Sequence, residues 1–322
     1  MEKSLLWYAL DKESVAKDRN MAIIAKALAG VTLLLLAQSA VDASVLECHG
    51  RKLVPETPPA RLWADFDQDP PRLDAQSLLV VDRFGNPVLA RDADTPRPIA
   101  SITKLMTAIV LLDASLPLER ELTITRDDID TLKHSRSRLR VGTRLRRREL
   151  LQIMLMSSDN RAAHALARNY PGGIPAFVAE MNARARELGM FSTRFVDPSG
   201  LNPANQASAS DIARLVQTAS LYPLIARFTT REEGDFALKQ GETHFVNSNR
   251  LVRFSKLPIS LSKTGFINEA GRCLVSQVDV ANQPLIFVLL GGHDKTAPQR
   301  DLRRLHHWLE QRVCDRAMAS AH

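Results

Sequence analysis

The order in which hydrophobic periodicity changes along the chain limits its fold more than any other feature. Toward the N-terminal side, "SLLVVDRFGNPVLARD" (77–92) places two short apolar runs about a Gly-Asn turn, the pattern of a β-hairpin. Helical periodicity runs from Ser101 through Leu112. It dominates from about Leu116 to Pro223, where "ELLQIMLM" and "PAFVAEMNARARELG" stand out and Gly189 is placed to end the second. The period then returns to two. "LPISLSKTGF", "RCLVSQVDV" and "PLIFVLLGG" are three strand-like runs joined by short turns, an antiparallel meander, and "QRDLRRLHHWLEQRV" is a closing amphipathic helix. Strands early, helices in the middle and strands late predict an α+β fold: one antiparallel sheet built from both ends of a domain, flanked by helices, with a helical insertion.

That domain is expected over 76–313, followed by a tail at 314–322 and preceded by an irregular, Pro-, Asp- and Arg-rich lead-in at 44–75. Residues 1–43 read as a leader. From Met21, a better start than Met1, "MAIIAKALAGVTLLLLAQSAVDAS" has a lysine, an apolar core at Ala27–Ala37 and a Val41-x-Ala43 cleavage-type end, the pattern of a signal peptide. The core is short for a transmembrane helix, so a soluble exported protein is expected, with an uncleaved membrane anchor as the alternative. The 45% hydrophobic and 25% charged composition suits a soluble globular protein. Of three cysteines, Cys273 lies in an apolar strand-like run and reads as buried; export would permit a Cys48–Cys314 bridge, which sequence alone does not establish.

Within this frame "PRPIASITKL" (96–105) sets Ser101 three residues before Lys104. Residues so spaced share a helix face, and a desolvated lysine can act as a base toward a neighbouring hydroxyl. The simpler reading is a helix cap, and the same spacing recurs at Ser14/Lys17 and Ser260/Lys263. Two further patterns alter the balance. "SDN" (Ser158, Asp159, Asn160) interrupts two helical stretches, and "KTG" (Lys263, Thr264, Gly265) lies on the first strand of the meander. Separately, Ser158 and Asn160 could cap a helix, Lys263 could be an edge-strand charge and Gly265 a bulge. As an ordered set, Ser-x-x-Lys, Ser-x-Asn and Lys-Thr-Gly form the signature of penicillin-recognising acyl-serine enzymes.

From about Ser77 to Leu309 the sequence resembles the low-molecular-weight penicillin-binding proteins, the serine D-alanyl-D-alanine endopeptidases and carboxypeptidases. "SRLRVGT", "LMSSDNRAAHALARNYPGG", "FVDPSGLN", "NSNRLVR" and "SKTGFINEAGRCLV" resemble the periplasmic endopeptidase branch in particular. The resemblance implies a penicillin-binding transpeptidase/β-lactamase-like fold and hydrolysis of D-alanyl crosslinks in peptidoglycan stem peptides. It implies Ser101 as nucleophile, Lys104 as base and Ser158 as proton relay. Asn160, Lys263, Thr264 and Gly265 would bind substrate, and the backbone N–H groups of Ser101 and Phe266 would form an oxyanion hole. β-Lactams would be covalent inhibitors, the location the periplasm with loose membrane association allowed, and cell-wall machinery proteins the candidate partners.

Other readings are weaker. The arginines between Arg136 and Arg148 and the formal charge of +7 could suggest nucleic acid, but export and an aromatic content of 5% argue against base stacking. A solvated basic face, or attraction to the anionic wall, fits better. The eight histidines show no zinc spacing, and no nucleotide-binding loop occurs, so no metal and no cofactor is expected. A class A β-lactamase would need a deacylating glutamate between the second and third motifs, whereas "RFVDPSGLNPAN" offers Asp197. A binding module with a dead site is disfavoured by the intact motifs. A carboxypeptidase is the nearer alternative; the short stretch after the last helix leaves no room for that branch's C-terminal β-rich domain and favours the endopeptidase.

Overall fold

The computed structural model describes residues 46–48, 51–53, 63, 70–239 and 241–319. The expected leader and signal peptide at 1–43, and most of the lead-in, lie outside the described residues. The lead-in is not wholly irregular, since β1 (Leu46–Cys48) and β2 (Arg51–Leu53) pair antiparallel. The hairpin follows as β3 (Ser77–Val81) and β4 (Pro87–Arg91). Its turn is held by the Asp82 carboxylate, which accepts the backbone N–H groups of Phe84 and Asn86, while Gly85 takes the positive φ of 88°.

After β5 (Arg97–Pro98) a 3₁₀ turn at Ala100–Thr103 leads into α1 (Lys104–Asp113). The middle of the chain contributes β6 (Glu121–Thr123), β7 (Arg144–Arg146), α2 (Arg147–Ser157), α3 (Asn160–Arg168) and α4 (Gly173–Glu187). Next come β8 (Gln206–Ala207), α5 (Ala209–Ser220), α6 (Pro223–Thr229), the hairpin β9 (Glu233–Leu238) and β10 (Gly241–Val246), and α7 (Arg250–Phe254). The meander is β11 (Ile259–Ile267), β12 (Gly271–Val280) and β13 (Gln283–Gly292), and α8 (Ala297–Ala319) closes the described chain.

Five strands form one antiparallel sheet in the order β11-β12-β13-β3-β4. The early hairpin thus joins the late meander through the β13–β3 pairing, Ile286 opposite Val81 and Leu289 opposite Leu78. Both faces are buried, because consecutive side chains of a strand point to opposite sides. Leu78, Val80, Leu285, Phe287 and Leu289 pack under α8 with Leu302, Leu305, Leu309 and Val313, whose spacing is one helical stripe. Leu79, Val81, Ile286, Val288 and Leu290 face the helical insertion, where α1, α2, α3 and α5 supply the opposing apolar residues.

Three boundaries differ from the sequence expectation. The 116–223 stretch holds the β6–β7 pair as well as helices; each strand buries only its central leucine, Leu122 or Leu145, too short a run to show a period of two. The β9–β10 hairpin was not expected at all. Finally, α8 continues through the expected tail to Ala319, because Val313, Cys314 and Ala317 prolong its buried stripe and a disulfide joins Cys314 to Cys48.

Candidate active site

The three motifs meet where the 3₁₀ turn, the α2–α3 junction and β11 come together. Ser101 does not cap a helix: the turn containing it has no side-chain cap, and its Oγ lies 2.7 Å from Lys104 Nζ. The turn is tightly wound, with Ala100 at a φ of 46° immediately before Ser101 and the Thr103 hydroxyl donating to Ala100 O at 2.8 Å. A non-glycine residue in the left-handed region carries a steric cost that its surroundings must impose. Here Gly200 is pressed against the turn so closely that a Cβ on it would stand 1.8 Å from Ala100 O.

The second motif is a helix junction. Ser158 ends α2 in a left-handed conformation (φ 62°), and the Asp159 carboxylate starts α3 by accepting the Ala162 N–H at 3.0 Å. Capping therefore falls to Asp159, and Ser158 and Asn160 are left to face the cleft. Gly265 is no bulge. It pairs in register with Cys273, away from the ladder irregularity at Ile259/Leu261, and a Cβ on it would meet Ile99 O at 3.0 Å and Ser101 N at 3.1 Å. Its bare backbone lets β11 lie directly beside Ser101.

Both motif lysines are fully buried beneath this surface. Besides touching Ser101, Lys104 Nζ donates to Asn160 Oδ1 at 2.7 Å and to Ser199 O at 2.6 Å. Asn160 is oriented by its other end, since Nδ2 donates to Ser135 Oγ at 2.8 Å. Burial lowers the Lys104 pKa to about 7, against the opposing pull of Asp197, Asp159 and Asp130. A neutral amine has two N–H bonds and one lone pair. With both N–H groups given to carbonyl oxygens, the lone pair is left for Ser101, the one contact with a proton to give. Lys263 Nζ donates to Ser158 Oγ at 2.8 Å and Thr264 O at 2.9 Å; burial first, then the nearby Lys104 cation, lowers its pKa well below the ordinary value.

Ser101, Ser158, Asn160, Thr264 and Gly265 line a cleft of about 1040 Å³. Sequence reasoning did not select several residues that support it. Ser135 fixes the Asn160 amide, and Ser248 Oγ lies 2.7 Å from Thr264 Oγ1. Asp197 organises the loop that aims Ser199 O at Lys104, accepting the N–H groups of Ser199, Gly200 and Asn202 and the Asn205 amide at 2.6–3.0 Å. The runs "FVDPSGLN" and "NSNRLVR" contain Asp197, Ser199 and Ser248, but nothing in their local pattern says which residue faces the site. With its carboxylate so engaged, and no acidic residue lining the cleft among the described residues, Asp197 is not placed to activate a deacylating water.

Comparison with known proteins gives the family and the fold. The sequence model of the D-alanyl-D-alanine carboxypeptidase family matches residues 64–294. A D-alanyl-D-alanine endopeptidase of Pseudomonas aeruginosa is 42% identical over 260 residues, covering 80% of this chain and 83% of that protein. One from Escherichia coli is 41% identical over 244 residues, covering 74% and 78%. A D-alanyl-D-alanine carboxypeptidase of Mycobacterium tuberculosis is 32% identical over 242 residues, covering 71% and 81%. The solved structure of a Streptomyces DD-transpeptidase superposes with a TM-score of 0.70 at 25% identity, covering 75% of this chain and 98% of that one. The expected penicillin-binding fold is therefore the fold observed, and the chain belongs to the D-alanyl-D-alanine carboxypeptidase family of serine peptidases.

Proposed function

We propose that the protein is a serine D-alanyl-D-alanine endopeptidase that opens D-alanyl crosslinks between peptidoglycan stem peptides. One observation carries the chemistry: a buried amine whose two other partners are carbonyl oxygens sits 2.7 Å from the Ser101 hydroxyl. Ser101 Oγ attacks the D-alanyl carbonyl as Lys104 takes its proton, giving a tetrahedral oxyanion held by the N–H groups of Ser101 and Phe266. The C–N bond then breaks. Ser158, paired with Lys263, passes a proton to the departing amine, and water later cleaves the acyl ester to regenerate Ser101. Asn160 holds the substrate backbone, the Lys263 and Thr264 side chains take the carboxylate beside the scissile bond, and Gly265 admits the chain along β11. A β-lactam would acylate Ser101 in the same way and persist, because its departing amine stays tethered to the acyl group and keeps the place that the deacylating water needs. The periplasm is the compartment that such a substrate requires.

The endopeptidase is preferred to the carboxypeptidase because the relatives named endopeptidase are 42% and 41% identical and the mycobacterial carboxypeptidase 32%. Digestion of purified crosslinked muropeptide dimers, followed by mass spectrometry, tests the choice. Conversion to monomers is expected, with free pentapeptide a poor substrate because the acceptor chain contributes binding in the transition state. Rapid loss of alanine from pentapeptide while dimers stay intact would make the protein a carboxypeptidase.

A further inference from the structure

The cleft is larger than the acylating groups need, and its remaining wall has a single sign of charge. Arg250 of α7, Arg272 of β12, Lys295 before α8, and Arg300, Arg303 and Arg304 of α8 all line it, and among the described residues no aspartate or glutamate does. Arg300 is engaged by Asp294 at 2.9 Å and Arg304 by the Arg72 carbonyl at 3.2 Å. Arg250, Arg272, Lys295 and Arg303 have no carboxylate partner among the described residues. Two of these are held by aromatic faces. The Arg272 guanidinium lies 3.6 Å from the centre of the Phe266 ring, its cross-strand neighbour, and Arg250 lies 5.7 Å from that of Phe254. Phe266 and Phe254 are 47% and 70% exposed, so these cation–π contacts lie at the protein surface.

Surface cations ordinarily alternate with acids, and a concave wall without acids concentrates anions. Guanidinium groups steadied on rings suit the planar, two-oxygen geometry of a carboxylate. None of the six cations hydrogen-bonds to Ser101, Lys104, Ser158, Asn160, Lys263 or Thr264 among the described residues, so they are not needed to hold the acylating groups. We propose that this basic wall, centred on Arg250, Arg272 and Arg303, is a substrate subsite that reads a free carboxylate on the stem peptide other than the one beside the scissile bond. This rests on the peptidase reading and adds a selectivity to it: peptides whose remote carboxyl groups are amidated are discriminated against.

The test compares matched crosslinked peptides with those remote carboxyl groups either free or converted to carboxamides. The native enzyme should favour the free form in kcat/KM by about tenfold, the scale of one charge-assisted hydrogen bond. Added salt should erode that preference by slowing the free form alone. In Arg250→Gln/Arg303→Gln the free-to-amide ratio should fall toward one, and Arg250→Lys/Arg303→Lys should restore part of it, which a merely structural role would not do. Equal rates for the two peptides, with penicillin labelling of Ser101 intact, would overturn the subsite alone. A ratio that survives both replacements would do the same. Absence of penicillin labelling in the native chain would overturn the peptidase reading and the subsite with it.

Discussion

Lys104 is where burial becomes chemistry. Its amine loses its proton near neutrality because burial penalises the cation, so the proposed base becomes available as pH rises through about 7. Penicillin acylation, followed as covalent label per minute, should rise as pH increases through about 7 and level off above it. A rate flat from pH 6 to 8 would remove Lys104 as the titrating base. Ser101→Ala should abolish the label while leaving the melting curve almost unchanged. Lys104→Arg should slow labelling by at least about a hundredfold, because a guanidinium keeps its proton. At this scale the sequence was legible wherever the cluster is built on short spacing: Ser101 with Lys104, Ser158 with Asn160, and Lys263 through Gly265 are each neighbours in the chain. Ser135, Asp197 and Ser199 were not, since each acts through a loop that reaches the site only after folding, and a loop has no periodicity to betray its direction.

Among the elements, the contact between β11 and the 3₁₀ turn matters most for the site. Gly265 lies so near the turn that a methyl group would crowd Ile99 O, Ser101 N and the Ala100 side chain at 3.0–3.2 Å. Gly265→Ala should therefore shift the turn by a few tenths of an ångström and slow penicillin acylation by about tenfold, since catalysis needs tighter placement than folding does. Its melting temperature should fall by only a few degrees. Unchanged acylation would mean that the strand tolerates a wider gap than the distances imply. The sheet strands were readable because their apolar runs, bounded by turns, extend over five to ten residues, as burial of both sheet faces requires. The β9–β10 hairpin was not, because much of β10 is solvent-exposed and its sequence, GETHFV, carries almost no apolar period. The SDN junction was visible as an interruption, though which of its residues caps α3 was settled only by the Asp159 hydrogen bond.

For the molecule as a whole, the Cys48–Cys314 disulfide ties β1 to α8 across 266 residues of chain, on the sheet face opposite the turn that carries Ser101. Closing so long a loop removes freedom chiefly from the unfolded chain, an effect of about 2–5 kcal/mol. Cys48→Ser should lower the melting temperature by several degrees and leave the acylation rate near that of the native protein; an equal loss in both would mean that the bridge shapes the cleft. The expected export made this pairing permissible in the sequence, but only the approach of β1 to α8 selects it. The sheet order has a consequence in time as well as in space. During synthesis β3 and β4 emerge long before β13, yet β3 gains its second neighbour only when β13 arrives, so the sheet behind the cleft is incomplete until then. A chain ending at Asn282 would carry every one of the seven motif residues and should form no penicillin adduct at all: a newly made chain has the chemistry in its sequence and stays inert until its last strand docks.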